Sequence, residues 1–258
     1  MRKLFIHKTQ KIIFSTPAFY KMYLCPQEFF SEKKYIFNMP LLTDVKHLIA
    51  KEIKLEMRQK YAINGIVLYL VATVFVGYLC FKTIVDAGTW DALFWIIMLF
   101  ASINAVSKSF MMEKQGRLLY YYLLASPQAI ILSKIIYNML LMIVLSLICF
   151  AFYALFLGNM VQNIGLFLVV ILVGNSGFAA ILSMTSAIAS KTNNSFTLMA
   201  ILSFPLLMPL LLALMKISKN AIDGLALSVS YDYLLVLVLI NVIIIILSYL
   251  LFPYLWRD

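Results

Sequence analysis

Tyr233-Leu-Leu-Val-Leu-Val-Leu-Ile-Asn-Val-Ile-Ile-Ile-Ile-Leu-Ser-Tyr-Leu-Leu-Phe-Pro-Tyr-Leu-Trp256 carries no charged residue along its whole length. A helix rises about 1.5 Å per residue and a bilayer's hydrocarbon core is about 30 Å thick, so about 20 such residues cross it. Lipid offers a bare backbone no hydrogen-bond partner, so a run this apolar must bond within itself as a helix. Five more runs of this kind lie upstream: Ala62–Phe81, Ala92–Met112, Ser133–Leu157, Val161–Ala189 and Phe196–Met215. Together they predict an all-α polytopic membrane protein with six transmembrane helices.

Composition agrees, with 64% hydrophobic and 12% charged residues, far from soluble averages. A net charge of +10 would suit nucleic acid, but its distribution points to topology. Twelve of the 21 Lys and Arg precede the first run, from Arg2 to Lys60. Lys108, Lys114, Arg117 and Lys134 cluster around the second connection, Lys191 sits in the fourth, and Arg257 is in the tail. The alternate connections hold only Lys82, Lys216 and Lys219. Cytoplasmic loops are the ones enriched in Lys and Arg, which places both termini in the cytosol. The basicity also suits anionic lipid headgroups, and no nucleic-acid partner is expected.

Cys25, Cys80 and Cys149 are isolated, so neither a disulfide framework nor a zinc site is expected. Residues 1–38 mix Lys with Phe and Tyr, are broken by Pro17 and Pro26, and lack the apolar core of a signal peptide. Two readings compete for this basic N-terminal extension. It is a cytosolic arm on the membrane surface, or the functional chain, residues 39–258, begins at Met39.

Residues 43–61 predict an amphipathic helix leading into the first span. Thr43 suits an N-cap and Asp44 the positive end of the helix dipole. Val45, Leu48, Ile49, Ile53, Met57 and Tyr61 recur at three- and four-residue steps, one apolar stripe for the acyl boundary. A solvated juxtamembrane helix is the alternative.

The connection between spans 2 and 3 reads Glu113-Lys-Gln-Gly116-Arg-Leu-Leu119-Tyr-Tyr-Tyr122-Leu123-Leu-Ala-Ser126-Pro127. Gly116 breaks the preceding helix and Pro127 closes the segment. Between them fits a short cytosolic helix with Leu119, Tyr122 and Leu123 on one face. Such a face suits a groove on another protein; tyrosines anchored in the membrane interface fit it equally well.

An acidic residue, then Gly, a Leu-rich short helix and Ser-Pro resembles the coupling helix of ABC-2-type permeases. Within that group the chain resembles the haem exporter protein B (CcmB) family over about Leu42 to Trp256. Lys51 to Gly65, Gly174-Asn-Ser-Gly177 and Phe204-Pro-Leu-Leu-Met-Pro209 share the resemblance. Arg117 and Tyr120 depart from it. The resemblance implies a permease subunit with Glu113, Gly116, Leu119, Tyr122, Leu123, Ser126 and Pro127 as its ATPase-coupling helix. It also implies a second copy of the chain, a separate ABC ATP-binding subunit, a haem-handling membrane subunit and a periplasmic haem chaperone. The setting would be the bacterial inner membrane. Independently, the sequence contains no Gly-x-x-x-x-Gly-Lys-Ser/Thr phosphate loop, so ATP belongs on the partner and hydrolysis is not expected here.

In span 4, Ser176, Gly177, Ala180, Ser183, Ala187 and Ser190 put small side chains along one helix face. Helices in lipid associate by close approach over such residues, so helix packing is expected; a substrate groove is the alternative. Pro205 and Pro209 interrupt span 5 and suggest a hinge. Asn104, Asn138 and Asn175 are read as bonds between helices. Trp90, Trp95 and Trp256 fall at belt positions.

His7 and His47 are the only histidines and both fall on the cytosolic side. No imidazole is therefore expected outside to ligate haem iron, and haem, if handled, is held by the complex. Asp86, Asp91, Asp223 and Asp232 are read as scattered outside acids, without a nucleophile–base arrangement for catalysis. The reading is a permease for haem export or haem-chaperone release in c-type cytochrome biogenesis. The alternatives are an ABC-2-type exporter of lipid, polysaccharide or drug, and a non-transporting assembly scaffold. The charge asymmetry predicts that cysteines at position 86 are labelled from outside and those at 114 are not. The reverse pattern would invert the topology.

Overall fold

The computed structural model describes residues 41–58, 60–81, 86–111, 126–192 and 195–257. The N-terminal extension 1–38 lies outside the described residues. So does most of the predicted coupling segment, including Glu113, Gly116, Leu119, Tyr122 and Leu123. The described residues form seven helices: α1 Leu41–Arg58, α2 Lys60–Cys80, α3 Ala87–Met111, α4 Pro127–Leu157, α5 Ile164–Ala189, α6 Ser195–Ile222 and α7 Leu227–Arg257. Six of them, α2 to α7, are long and apolar enough to cross a membrane. The all-α, six-span reading holds.

Helix starts follow local chemistry. Asp86 caps α3: its Oδ2 accepts from Thr89 N at 3.2 Å, and the Thr89 hydroxyl donates to Oδ1. These bonds hold the exposed Asp86 carboxyl below its ordinary range. Asn163 caps α5, with Oδ1 accepting from Leu166 N at 3.1 Å. Gly158, at φ 82°, ends α4 in a backbone region that only glycine occupies readily.

The bundle is built around α5, which packs against α3, α4, α6 and α7. In α3 and α5 the buried shares of the span are 67% and 61%, against 17% in α2 and α7; the last two therefore turn most of their surface outward. Close approach explains how α5 reaches so many neighbours. A Cβ on Gly174 would come within 2.7 Å of Leu214 and 3.2 Å of Trp95. One on Gly177 would sit 2.7 Å from Leu210 and also strike the Asn241 side chain. Ala180 and Ala187, on the same face, join Ile130, Ile131, Ile135 and Phe252 in a smaller apolar cluster. The larger core gathers Trp90, Phe94, Trp95, Tyr153 and Phe167 with the middle of the bundle.

Trp90 and Trp95 are corrected by this packing. They are 0% and 1% exposed, core residues rather than belt anchors. Their indole N–H groups are satisfied inside: Trp90 Nε1 donates to Gly158 O at 3.1 Å and Trp95 Nε1 to Ser218 Oγ at 2.9 Å. Trp90 also stacks with Phe94 at a centroid distance of 6.2 Å and meets Tyr153 edge-on at 4.8 Å.

The last two spans run past their apolar limits. Where the sequence suggests a connection from Met215 to Asp232, α6 reaches Ile222 and α7 begins at Leu227. Ile217, Ala221 and Ile222 are buried, and Asn220 Nδ2 donates to Ser230 Oγ at 3.0 Å. Hydropathy marks where a helix leaves lipid, not where it ends. The α1 helix begins at Leu41 and does not keep its stripe on one surface. Val45 is buried, Leu48 packs on the smaller cluster, and Ile53 and Met57 are exposed.

Gly177→Leu should overpack the α5–α6–α7 contact, destabilising the chain by about 1–3 kcal/mol. Thermal unfolding of the purified protein in detergent checks this, with a lowered midpoint expected and Gly65→Leu, at a position with open space, as the control.

Candidate functional site

The predicted coupling segment meets the described structure at Ser126 and Pro127. Ser126 is extended, at φ −70° and ψ 144°, and its Oγ accepts from Ala129 N at 3.3 Å. Pro127 takes the first helical position, where its missing N–H leaves nothing unpaired. This cap fixes where the segment becomes α4.

Two turns along α4 lies a residue that the sequence reading counted only as a flanking charge. Lys134 is 2% exposed. Its ammonium is 3.2 Å from Glu52 Oε2 on α1, and Glu52 Oε1 is 2.9 Å from Lys51 Nζ. Burial by itself would raise the Glu52 pKa, but the Lys134 and Lys51 charges outweigh it and hold the carboxyl below its usual 4.5. Glu56, the next carboxylate along α1, bears on the buried Tyr137 of α4.

From this junction, polar pairs continue into the bundle. Asn138 Nδ2 donates to Ser183 Oγ at 2.7 Å, joining α4 to α5. Asn175 Nδ2 donates to Ser146 Oγ at 2.7 Å, joining them again. Asn241 Nδ2 donates to Val173 O and Ser176 Oγ, each at 2.9 Å, tying α7 to α5. Asn138 and Asn175 therefore bridge helices. Asn104 instead bonds Phe100 O of its own helix at 3.0 Å, because its face of α3 is not buried.

The small-residue set of span 4 lies inside this one chain. Ser176 and Ser183 take part in the polar pairs, Gly177, Ala180 and Ala187 admit neighbouring helices, and Ser190 Oγ bonds Ala187 O at 2.7 Å where α5 ends. Pro205 and Pro209 are both within the continuous α6. Asp91, read as an outside acid, is 2% exposed, with Oδ1 unpartnered among the described residues. It lies in α3 beside Ser218 and Trp95. The aspartate enters the bundle because α3 starts at Ala87, earlier than its apolar run.

No group of three or more His, Cys, Asp or Glu among the described residues is placed to hold a metal, and His47 is exposed on α1. An apolar cleft of about 300 Å³ opens between α4, α5 and α7 beside Ile131, Met184, Leu251 and Phe252. The Ser248 hydroxyl in its wall is bonded to Ile244 O at 2.8 Å. Apart from Ser248 and Tyr254 its lining is apolar.

Glu52, Lys134 and Asn241 were missed for one reason. Glu52 looks like one more charge on the polar side of α1, and Lys134 and Asn241 like isolated interruptions of apolar stretches, until the partner on another helix is known. Lys134 and Asn138, four apart, did carry a faint signal, since both fall on one face of α4.

These features define a six-span, all-α membrane protein whose connection between the second and third spans leads into a capped, ion-paired helix start. The profile of the CcmB protein family matches residues 43–252, most of the chain, and the chain belongs to this family, haem exporter protein B. Membership makes it a membrane permease of haem export in cytochrome c maturation. No individually curated protein matches it.

Because the folded pKa of Glu52 is depressed, its contribution to stability is present above the usual 4.5 and is lost as pH falls through the lower folded value. Acidification below about pH 4.5 should therefore loosen α1 from α4 before the bundle opens. Hydrogen exchange in detergent checks this: α1 amides should lose protection first, and Glu52→Gln should abolish that pH step.

Proposed function

We propose that the chain is the membrane half of an ABC-type exporter, driven by a separate ATP-binding subunit that docks on residues 116–126. Two copies of the chain pair with two such subunits, the outward-turned faces of α2 and α7 being available to the second copy. The observation that carries this reading is the construction of the α4 start. A loop that is merely solvated needs no buried lysine two turns inside the following helix. Here the loop ends on a Ser-Pro cap joined to α1 by the Lys134–Glu52 pair and to α5 by Asn138. A displacement of the loop thus meets a rigid element. The charge asymmetry of the sequence supports a cytosolic side for this junction and both termini, and the family supports a bacterial inner membrane as the setting.

The ATP-driven step is the passage of haem or the release of a haem-loaded chaperone outside, and both use the same cytosolic input. Haem-holding ligands belong to a further membrane subunit and to that chaperone. Pro205 and Pro209 remove two backbone donors from α6 and supply the hinge for the stroke.

Docking should depend on the apolar face of the segment, because buried aromatic and aliphatic anchors dominate such interfaces. Changing Leu119, Tyr122 and Leu123 together to Ala should lower co-purification of the ATP-binding subunit about tenfold or more. The amount of permease in the membrane should not change. Normal capture together with normal cytochrome c yield would overturn the reading.

A further inference from the structure

Helix α1 is attached to α4 in two physically different ways. One is apolar: Leu48 lies against the cluster of Ile130, Ile131 and Ile135. Such contacts tolerate sliding, since neighbouring aliphatic rotamers fill the same space. The other is ionic and directional. Lys134, 2% exposed, meets Glu52 Oε2 at 3.2 Å, while Lys51 steadies the other carboxylate oxygen at 2.9 Å.

A buried ion pair adds little stability beyond what two apolar side chains of similar volume would give. Removing one partner is expensive, because it leaves an uncompensated charge. What the pair provides that packing does not is a fixed register, and Lys134 sits where register matters. It is eight residues beyond Ser126, about 12 Å along the axis at the helical rise. One turn further, Asn138 bonds Ser183 at 2.7 Å and so engages the interior helix α5.

We propose that Glu52 and Lys134 are positioning residues that make α1 and the first turns of α4 a single lever. A displacement delivered at Ser126 then moves α1 together with α4 instead of being absorbed by slippage between them. The proposal rests on docking of the ATP-binding subunit at residues 116–126, and goes beyond it by assigning the element that carries the motion onward.

The test uses the full-length chain co-expressed with its ATP-binding subunit and the rest of the maturation system. Three quantities are read: inserted permease, captured ATP-binding subunit and cytochrome c yield per inserted molecule. Glu52→Gln and Lys134→Met should each lower the yield about tenfold or more, with capture within about twofold of wild type. Glu52→Leu combined with Lys134→Met is the decisive variant. It restores packing without direction, so it should insert normally and still give the low yield. The reversed pair, Glu52→Lys with Lys134→Glu, should recover at least part of the yield. Full yield from the apolar double variant overturns the lever, and so does its failure to insert, since the pair would then serve the fold itself. Failure of the wild-type chain to capture the ATP-binding subunit would instead overturn the docking reading on which the lever rests.

Discussion

The bundle depends on how closely its neighbours approach α5. Lipid gives helices no hydrophobic reason to associate, so contact area must come from surfaces smooth enough to touch. Gly174 and Gly177 leave gaps that Leu214, Trp95 and Leu210 fill to within distances a Cβ would forbid. Once those contacts form, α3, α4, α6 and α7 surround one helix, and their polar side chains are brought to the depth where they can pair. The Asn–Ser bonds follow from that proximity, and the outward faces of α2 and α7 are what it leaves uncovered.

The two ends of the molecule are closed differently. At the end away from the coupling loop, aromatic rings do the packing. Trp90, Phe94, Tyr153 and Phe167 interlock, and the Tyr153 hydroxyl donates to Trp90 O at 2.9 Å. Trp95 reaches across to Ser218. At the α1 end an ion pair, an apolar cluster and a helix cap share the task. Rings packed edge to face fill one end, whereas directional contacts between charged side chains fix the register of α1 on α4 at the other.

Most of the fold was legible in the sequence, because hydropathy over about twenty residues records the solvent directly. Tyr233–Trp256 has few alternatives in any medium. The limits of the helices were less legible. Ile217 to Ile222 stays helical through contacts with other spans, and a window of local hydropathy does not contain them. The candidate site was legible at Ser126 and Pro127, where cap and proline chemistry is local. It was illegible at Glu52 and Lys134, which are far apart in the chain and each look like an ordinary surface charge. Trp90 and Trp95 were misplaced for the same reason: membrane-edge position predicts a belt residue only when nothing inside the protein accepts the indole proton.

The buried Lys134 also bears on how the chain is made. Its carboxylate partner lies on a helix synthesised well before α4, with two spans between them. While α4 is still leaving the translation machinery, its ammonium has no reason to abandon water until Glu52 is within reach. The α1 helix precedes α2 and α3 in the chain, so its carboxylate is already made when the Lys134 ammonium comes to be buried. A single charged contact thus ties the last step of packing α4 to a helix made two spans earlier.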